Sequence, residues 1–218
     1  MEERAAFSRA QSFASLVRGG GMALAAGGLL FIVATLLHPS QETPVTILET
    51  EVRLVSSHAV YVVSYVLILL GLPALYVAES QRVGRRLVLT GFLMAFGGTA
   101  LLAISGMFGF FAPVLARDAP EALDSIIEYL PVVVFSGFAA IGFMAGFVTL
   151  GIAVARSNFV VPRWSGFLMA AGAPLHLVGF GIAQLGSPSL WFVAILGSVV
   201  LGAGLAWSGY RMWAKPGV

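Results

Sequence analysis

Gly166-Phe167-Leu168-Met169-Ala170-Ala171-Gly172 is nearly repeated by Gly91-Phe92-Leu93-Met94-Ala95-Phe96-Gly97, with a looser copy at Gly21-Met22-Ala23-Leu24-Ala25-Ala26-Gly27. Each copy lies inside a long apolar run and keeps a small residue four positions after its first glycine: Ala170, Ala95 and Ala25. In lipid there is little hydrophobic drive between helices, so flat Gly/Ala surfaces that let backbones approach supply much of the packing energy. The stretch therefore reads as a membrane-helix seam written three times. Residues 91–102 match 166–177 at seven of twelve positions, and 21–32 match 91–102 at four. A Gly/Ala/Leu-rich composition inflates such matches, and the repeat enters as an expectation of three related helical hairpins.

Outward from this seam the whole chain has the same character. Of its 218 residues 59% are hydrophobic and 10% charged, which excludes an ordinary soluble globule. Apolar spans fall at about 16–38, 56–78, 87–113, 129–155, 164–186 and 189–213, each near the roughly 20 residues needed to cross a bilayer core. The fold class expected is an all-α integral membrane protein of six transmembrane helices. Residues 1–15 form an interfacial amphipathic segment and 16–218 the transmembrane domain, with hairpins at about 16–78, 87–155 and 164–213. No small-x-small cleavage pattern follows the first span, which is read as retained.

The charges give an orientation. Six crossings put both termini on one side with Arg4, Arg9, Arg18, Arg82, Arg85, Arg86, Arg156, Arg163, Arg211 and Lys215, leaving Arg53 and Arg117 opposite. By the positive-inside rule both termini are cytoplasmic and the membrane is the cell membrane. Seven of the ten acids, Glu42 among them, fall on the outer side. After the third span, Asp118 with Glu121 three residues on reads as the N-cap of a small surface helix. The net charge of +2 comes from basic residues beside apolar spans, a topology signal and not the footprint of a nucleic acid. There is no cysteine, so disulfides, thiol nucleophiles and thiolate metal sites are excluded.

The few polar groups inside the spans carry any functional reading. His176 lies thirteen residues past Arg163, about 20 Å from the inner surface. An ionisable group at that depth is a functional candidate, with an imidazole bridging two helices as the structural alternative. The repeat places Phe31 and Leu101 at the matching positions. His58, Tyr61 and Tyr65 share one helical face that descends from the outer surface, and Ser136 stands at a similar level in the fourth span. Together His58, Tyr61, Tyr65, Ser136 and His176 outline a ligand-binding, outer-half cavity with His38 at its mouth. Interfacial anchoring of His and Tyr is the competing account. Pro73 and Pro174 each leave a carbonyl one turn back without its usual donor, at Leu69 and Ala170.

Catalytic and cofactor signatures are missing. The sequence Val134-Phe135-Ser136-Gly137 lacks the first glycine of a Gly-x-Ser-Gly nucleophile setting, and every glycine cluster lies within a span instead of after a strand. A three-histidine zinc site would need His176, which the repeat register puts about 10 Å deeper than His38. No metal and no cofactor are therefore expected, with haem b between His38 and His58 as the alternative. The leading reading is a membrane protein that binds or translocates a small or lipid-like molecule. The alternatives are a non-catalytic subunit or scaffold joined to itself or to partners through Gly/Ala faces, and a haem- or metal-binding membrane protein using its histidines.

Overall fold

The structure, a computed structural model, describes residues 2–80 and 85–216, with the side chains of 2–10, Arg85, Asp124 and Ile127 left aside. The side-chain faces expected for the first residues of the chain, and Arg82 in the first inner loop, lie outside the described residues. The order is α1 (Glu2–Leu37), α2 (Pro44–Glu49), α3 (Glu51–Glu79), α4 (Arg85–Gly106), α5 (Ala112–Asp118), α6 (Pro120–Glu128), α7 (Leu130–Ser157), α8 (Arg163–Gln184) and α9 (Trp191–Ala214). Short 3-10 turns follow α4 at Met107–Phe110 and precede α9 at Pro188–Leu190. Six helical stretches are long and apolar enough to cross a membrane, and the chain is built as a polytopic membrane protein.

The six long helices form a ring in chain order. α1 packs on α3, α3 on α4, α4 on α7, α7 on α8, α8 on α9, and α9 closes on α1. The α3–α4 seam is the thinnest. Gly21, midway along α1, meets Gly209 and Met212 near the end of α9, and Gly28 further on meets Gly202 further back, so the two helices run antiparallel and the start of α1 and the end of α9 share one end of the bundle. We call this the terminal end and the opposite one the distal end.

Glycine sets the helix separations at the places the repeated motif predicts. A Cβ built on Gly91 would lie 2.6 Å from the Leu150 nitrogen of α7, and one on Gly166 would lie 2.6 Å from the Ala155 nitrogen of the same helix. The small residue four further on serves the same seam. Gly209 faces Ala25, Gly146 faces Ala95 and Gly151 faces Ala170. The motif on α1 thus seats on α9, and those on α4 and α8 both seat on α7, which is why no glycine seam tightens α3 against α4.

α1 runs as one helix from Glu2 to Leu37, with the first residues continuous with the span. α3 and α8 likewise continue through Pro73 and Pro174. At the distal end, Ile47, Leu54, Ala112, Ala116 and Leu123 make a small satellite core beneath α2, α5 and α6. The expected surface helix is present as α6, but Asp118 ends α5 and the N-cap is Ala119, whose side chain cannot cap. Pro120, with its fixed φ and no N–H to satisfy, starts the helix in place of an acidic cap. At the terminal end the carboxylate of Glu79 is fully buried, accepting the Val161 N–H at 3.1 Å and the Ser157 hydroxyl, and so fastens the short α7–α8 connection.

Candidate functional site

The structure brings together four of the five residues that the sequence proposes. On α3, Tyr61 stacks on Tyr65 with centroids 5.7 Å apart, and His58 lies 6.4 Å above Tyr61. Phe31 of α1 joins them to the far side of the ring: its centroid is 5.6 Å from Tyr61, 6.1 Å from Tyr65 and 4.7 Å from His176. The Tyr61 hydroxyl bonds Thr35 at 2.7 Å, and His176 Nδ1 meets the Ala194 carbonyl of α9 at 3.1 Å. This column is a filled aromatic stack, because Phe31 and Phe143 are fully buried at its centre. Ser136 is not part of it and stands exposed on α7.

Immediately distal to the column, three potential ligand side chains meet. His38 Nε2 is 2.7 Å from Glu42 Oε1, His58 Nε2 is 3.5 Å from the same oxygen, and all three donor atoms lie within 4.8 Å of one another. Local structure explains the convergence. α1 ends at Leu37 just before His38 and Pro39, so the chain turns back and sets Glu42 four residues on beneath the first ring. Arg53 holds that turn by donating from Nε to the Leu37 carbonyl at 2.6 Å and from a terminal nitrogen to the His38 carbonyl at 3.2 Å. The Glu42 N–H donates to Gln184 Oε1 at 3.0 Å, tying the turn to the end of α8. Gly109 leaves the room that His58 occupies, since a Cβ there would strike the imidazole.

The hydrogen bonds fix what these rings can do. His38 Nδ1 lies 2.6 Å from the Pro39 carbonyl and His58 Nδ1 lies 2.9 Å from the Gly106 carbonyl. A carbonyl only accepts, so each Nδ1 carries its hydrogen and each neutral ring presents a lone pair at Nε2. Both lone pairs then face a carboxylate that also only accepts. Such an arrangement is repulsive unless a proton or a cation sits among the three atoms. When the rings carry those protons, their hydrogen bonds and positive charge outweigh the burial that works against charge on Glu42 and hold its carboxyl well below the usual carboxylate range.

The aromatic wall is close. Trp191 and Phe180 each lie 5.4 Å from the His38 ring, Trp191 nearly parallel to it at 29°. Three buried nitrogens in this neighbourhood, His58 Nε2, Gln184 Nε2 and Trp191 Nε1, have no hydrogen-bond partner. Comparison of the chain with protein-family models, curated proteins and solved structures gives no match, so the site is read from its own geometry.

That geometry fits a metal ion better than haem. An axial pair stands on opposite faces of a macrocycle, whereas the His38 and His58 rings are 5.1 Å apart and both aim Nε2 at one oxygen. Two imidazole nitrogens and a carboxylate, each with its spare Nδ1–H held by a backbone carbonyl, match a His2Glu zinc-type set with its outer shell. Ligands at about 2.1 Å around a tetrahedral ion stand about 3.4 Å apart, close to the 3.5 Å between His58 and Glu42, and the 2.7 Å His38–Glu42 contact would open by about 0.7 Å to admit one. Sequence reasoning sought a site among histidines alone and so passed over Glu42. The spacing His38-x-x-x-Glu42 across a helix-ending proline is the signal that was there.

Proposed function

We propose that this chain is a multi-pass membrane protein that holds a divalent cation of the zinc class at its outward-facing end through His38, Glu42 and His58. The observation that carries the reading is the meeting of two ring nitrogens and one carboxylate oxygen within 4.8 Å of one another, with each ring's Nδ1 already at a backbone carbonyl. Three protein ligands leave a fourth position open. The small or lipid-like molecule expected from the sequence binds there, above a closed floor of Tyr61, Tyr65 and His176. The ten-to-two division of basic residues supports an outward distal end and cytoplasmic termini in the cell membrane. The edge-on contact of Phe31 and His176, which occupy matching positions of the repeat, supports three related hairpins. A scaffold built on free Gly/Ala faces has less support, because Gly21, Gly91 and Gly166 are all spent inside the bundle.

The test is cobalt binding to chelator-stripped protein in detergent, followed by visible absorption. We expect one ion per chain with the intense bands of a four-coordinate nitrogen and oxygen site, and a loss of affinity of at least about tenfold in each of His38→Ala, Glu42→Ala and His58→Ala. Unaltered cobalt uptake by all three variants would remove the centre.

A further inference from the structure

α7 carries a stripe of residues that should all face the bundle: Leu150, Phe147, Phe143 and Ala139, then Ser136 and Val132. The first four are fully buried, whereas Ser136 and Val132 are exposed. From Glu128 to Ser136 every residue is exposed whichever way it points, although the helix there is almost wholly apolar. The first two turns of α7, up to Ser136, therefore stand away from the ring. The centre shows the complementary pattern. Around it stand His38 of α1, His58 of α3, Gly109 after α4, Phe180 and Gln184 of α8 and Trp191 of α9. Among the described ring contacts and hydrogen bonds of these residues at the centre, none is to α7, which lies between α4 and α8 in the ring.

We infer that the gap beside the first two turns of α7 is a lateral port through which an anionic phospholipid of the outer leaflet lays its chain along α7 and brings its phosphate to the metal centre. This rests on the metal reading above and names the ligand class of that same site. Three observations favour this occupant. At that depth an apolar surface uncovered by protein is in contact with lipid chains. A divalent ion held by two neutral rings and one carboxylate keeps a net positive charge, which suits a phosphate oxygen in the open position. The Trp191 indole N–H, on a side chain 8% exposed, and the Gln184 amide are buried donors without acceptors beside that position. Further phosphate or ester oxygens would supply what they lack.

The test adds lipid to cobalt-loaded protein in dodecyl maltoside and follows the cobalt bands. Dioleoyl phosphatidylglycerol should shift them at a concentration at least about tenfold below that of glycerol phosphate or inorganic phosphate, because its chains gather it in the detergent micelle around the protein and lay it against α7, whereas the free phosphates stay in the water. Ser136→Trp, which fills the gap, should raise the lipid concentration required at least about tenfold while leaving the lipid-free bands and the response to inorganic phosphate unchanged. Equal responses to lipid and free phosphate would overturn the port in favour of a site open to water. Normal bands that neither lipid nor phosphate shifts would overturn a phosphate ligand altogether. Native mass spectra showing a dimer that excludes lipid would assign the gap to a second copy. Absence of the cobalt bands themselves would count against the centre, a failure separate from any of these.

Discussion

The same small substitution should have opposite signs at four glycines of two helices. Gly91→Ala places a Cβ 2.6 Å from the Leu150 nitrogen and 2.8 Å from its Cα, both backbone atoms that cannot rotate away. Comfortable contact is about 3.5 Å, so α4 and α7 must part by about 1 Å. Gly166→Ala meets the Ala155 nitrogen at 2.6 Å, besides the Gly151 carbonyl, and forces the same separation of α8 from α7. Overpacking of this kind costs about 1 to 3 kcal/mol, against which alanine recovers about 0.5 to 1 kcal/mol of helix propensity, for a net loss of up to about 2.5 kcal/mol. Gly97 and Gly181 lie in the same two helices, and a Cβ on either meets nothing within 4 Å. There the propensity gain stands alone, and each alanine should stabilise by about 0.5 to 1 kcal/mol. Tryptophan fluorescence through a thermal ramp in one detergent reads all four. The reasoning is refuted if the four variants shift Tm in one direction. It also requires Gly91→Ala combined with Gly146→Ala to cost less than the sum of the two, since both open the α4–α7 seam and the second clash finds it already parted.

Two further outcomes follow from the placement of single residues. Cysteines introduced alone at Ser80 and Ser125 should react with a membrane-impermeant maleimide from opposite sides of the membrane, Ser125 from outside. Labelling of both from one side would end the six-span arrangement. His176→Phe removes one bond to the Ala194 carbonyl, which keeps its own helical donor, so it should cost about 1 kcal/mol of stability and leave cobalt loading intact. Loss of loading without a shift in Tm would instead put His176 in the centre.

The membrane-spanning elements were legible because each rests on a property that single residues carry. Six apolar runs give six long helices, and their glycines mark the seams since only a missing Cβ allows those approaches. What pairs with what was less legible. The motif predicts close packing at Gly21, Gly91 and Gly166 alike, yet the first seats on α9 and the other two on α7. A helix's own sequence states that a face is flat but not which neighbour it meets. The polar groups were misjudged where depth stood in for direction. Ser136 is at the proposed level but on a stretch of α7 that leaves the ring, while Phe31, read only as the apolar counterpart of His176, is the ring that links His176 to Tyr61 and Tyr65.

Charge counting hid Glu42 for a physical reason that also explains why the site forms there. In the sequence it is one of seven acids on a side with only two basic residues, and so it reads as part of a solvated acidic surface. The two cations are already engaged. Arg53 caps the carbonyl end of α1, where a positive charge complements the helix dipole, and Arg117 pairs with Glu51 at 2.7 Å. Among the described residues the partners left to Glu42 are therefore His38 and His58, whose Nδ1 hydrogens are committed to Pro39 and Gly106. A carboxylate three-quarters buried, with no arginine or lysine to neutralise it and two lone pairs turned toward it, keeps its place only with a positive centre between the three atoms. Protons can fill that role, but they leave His58 Nε2 3.5 Å from the oxygen, too long for a good bond. The divalent ion proposed above, whose ligands would stand about that far apart, would engage all three at once.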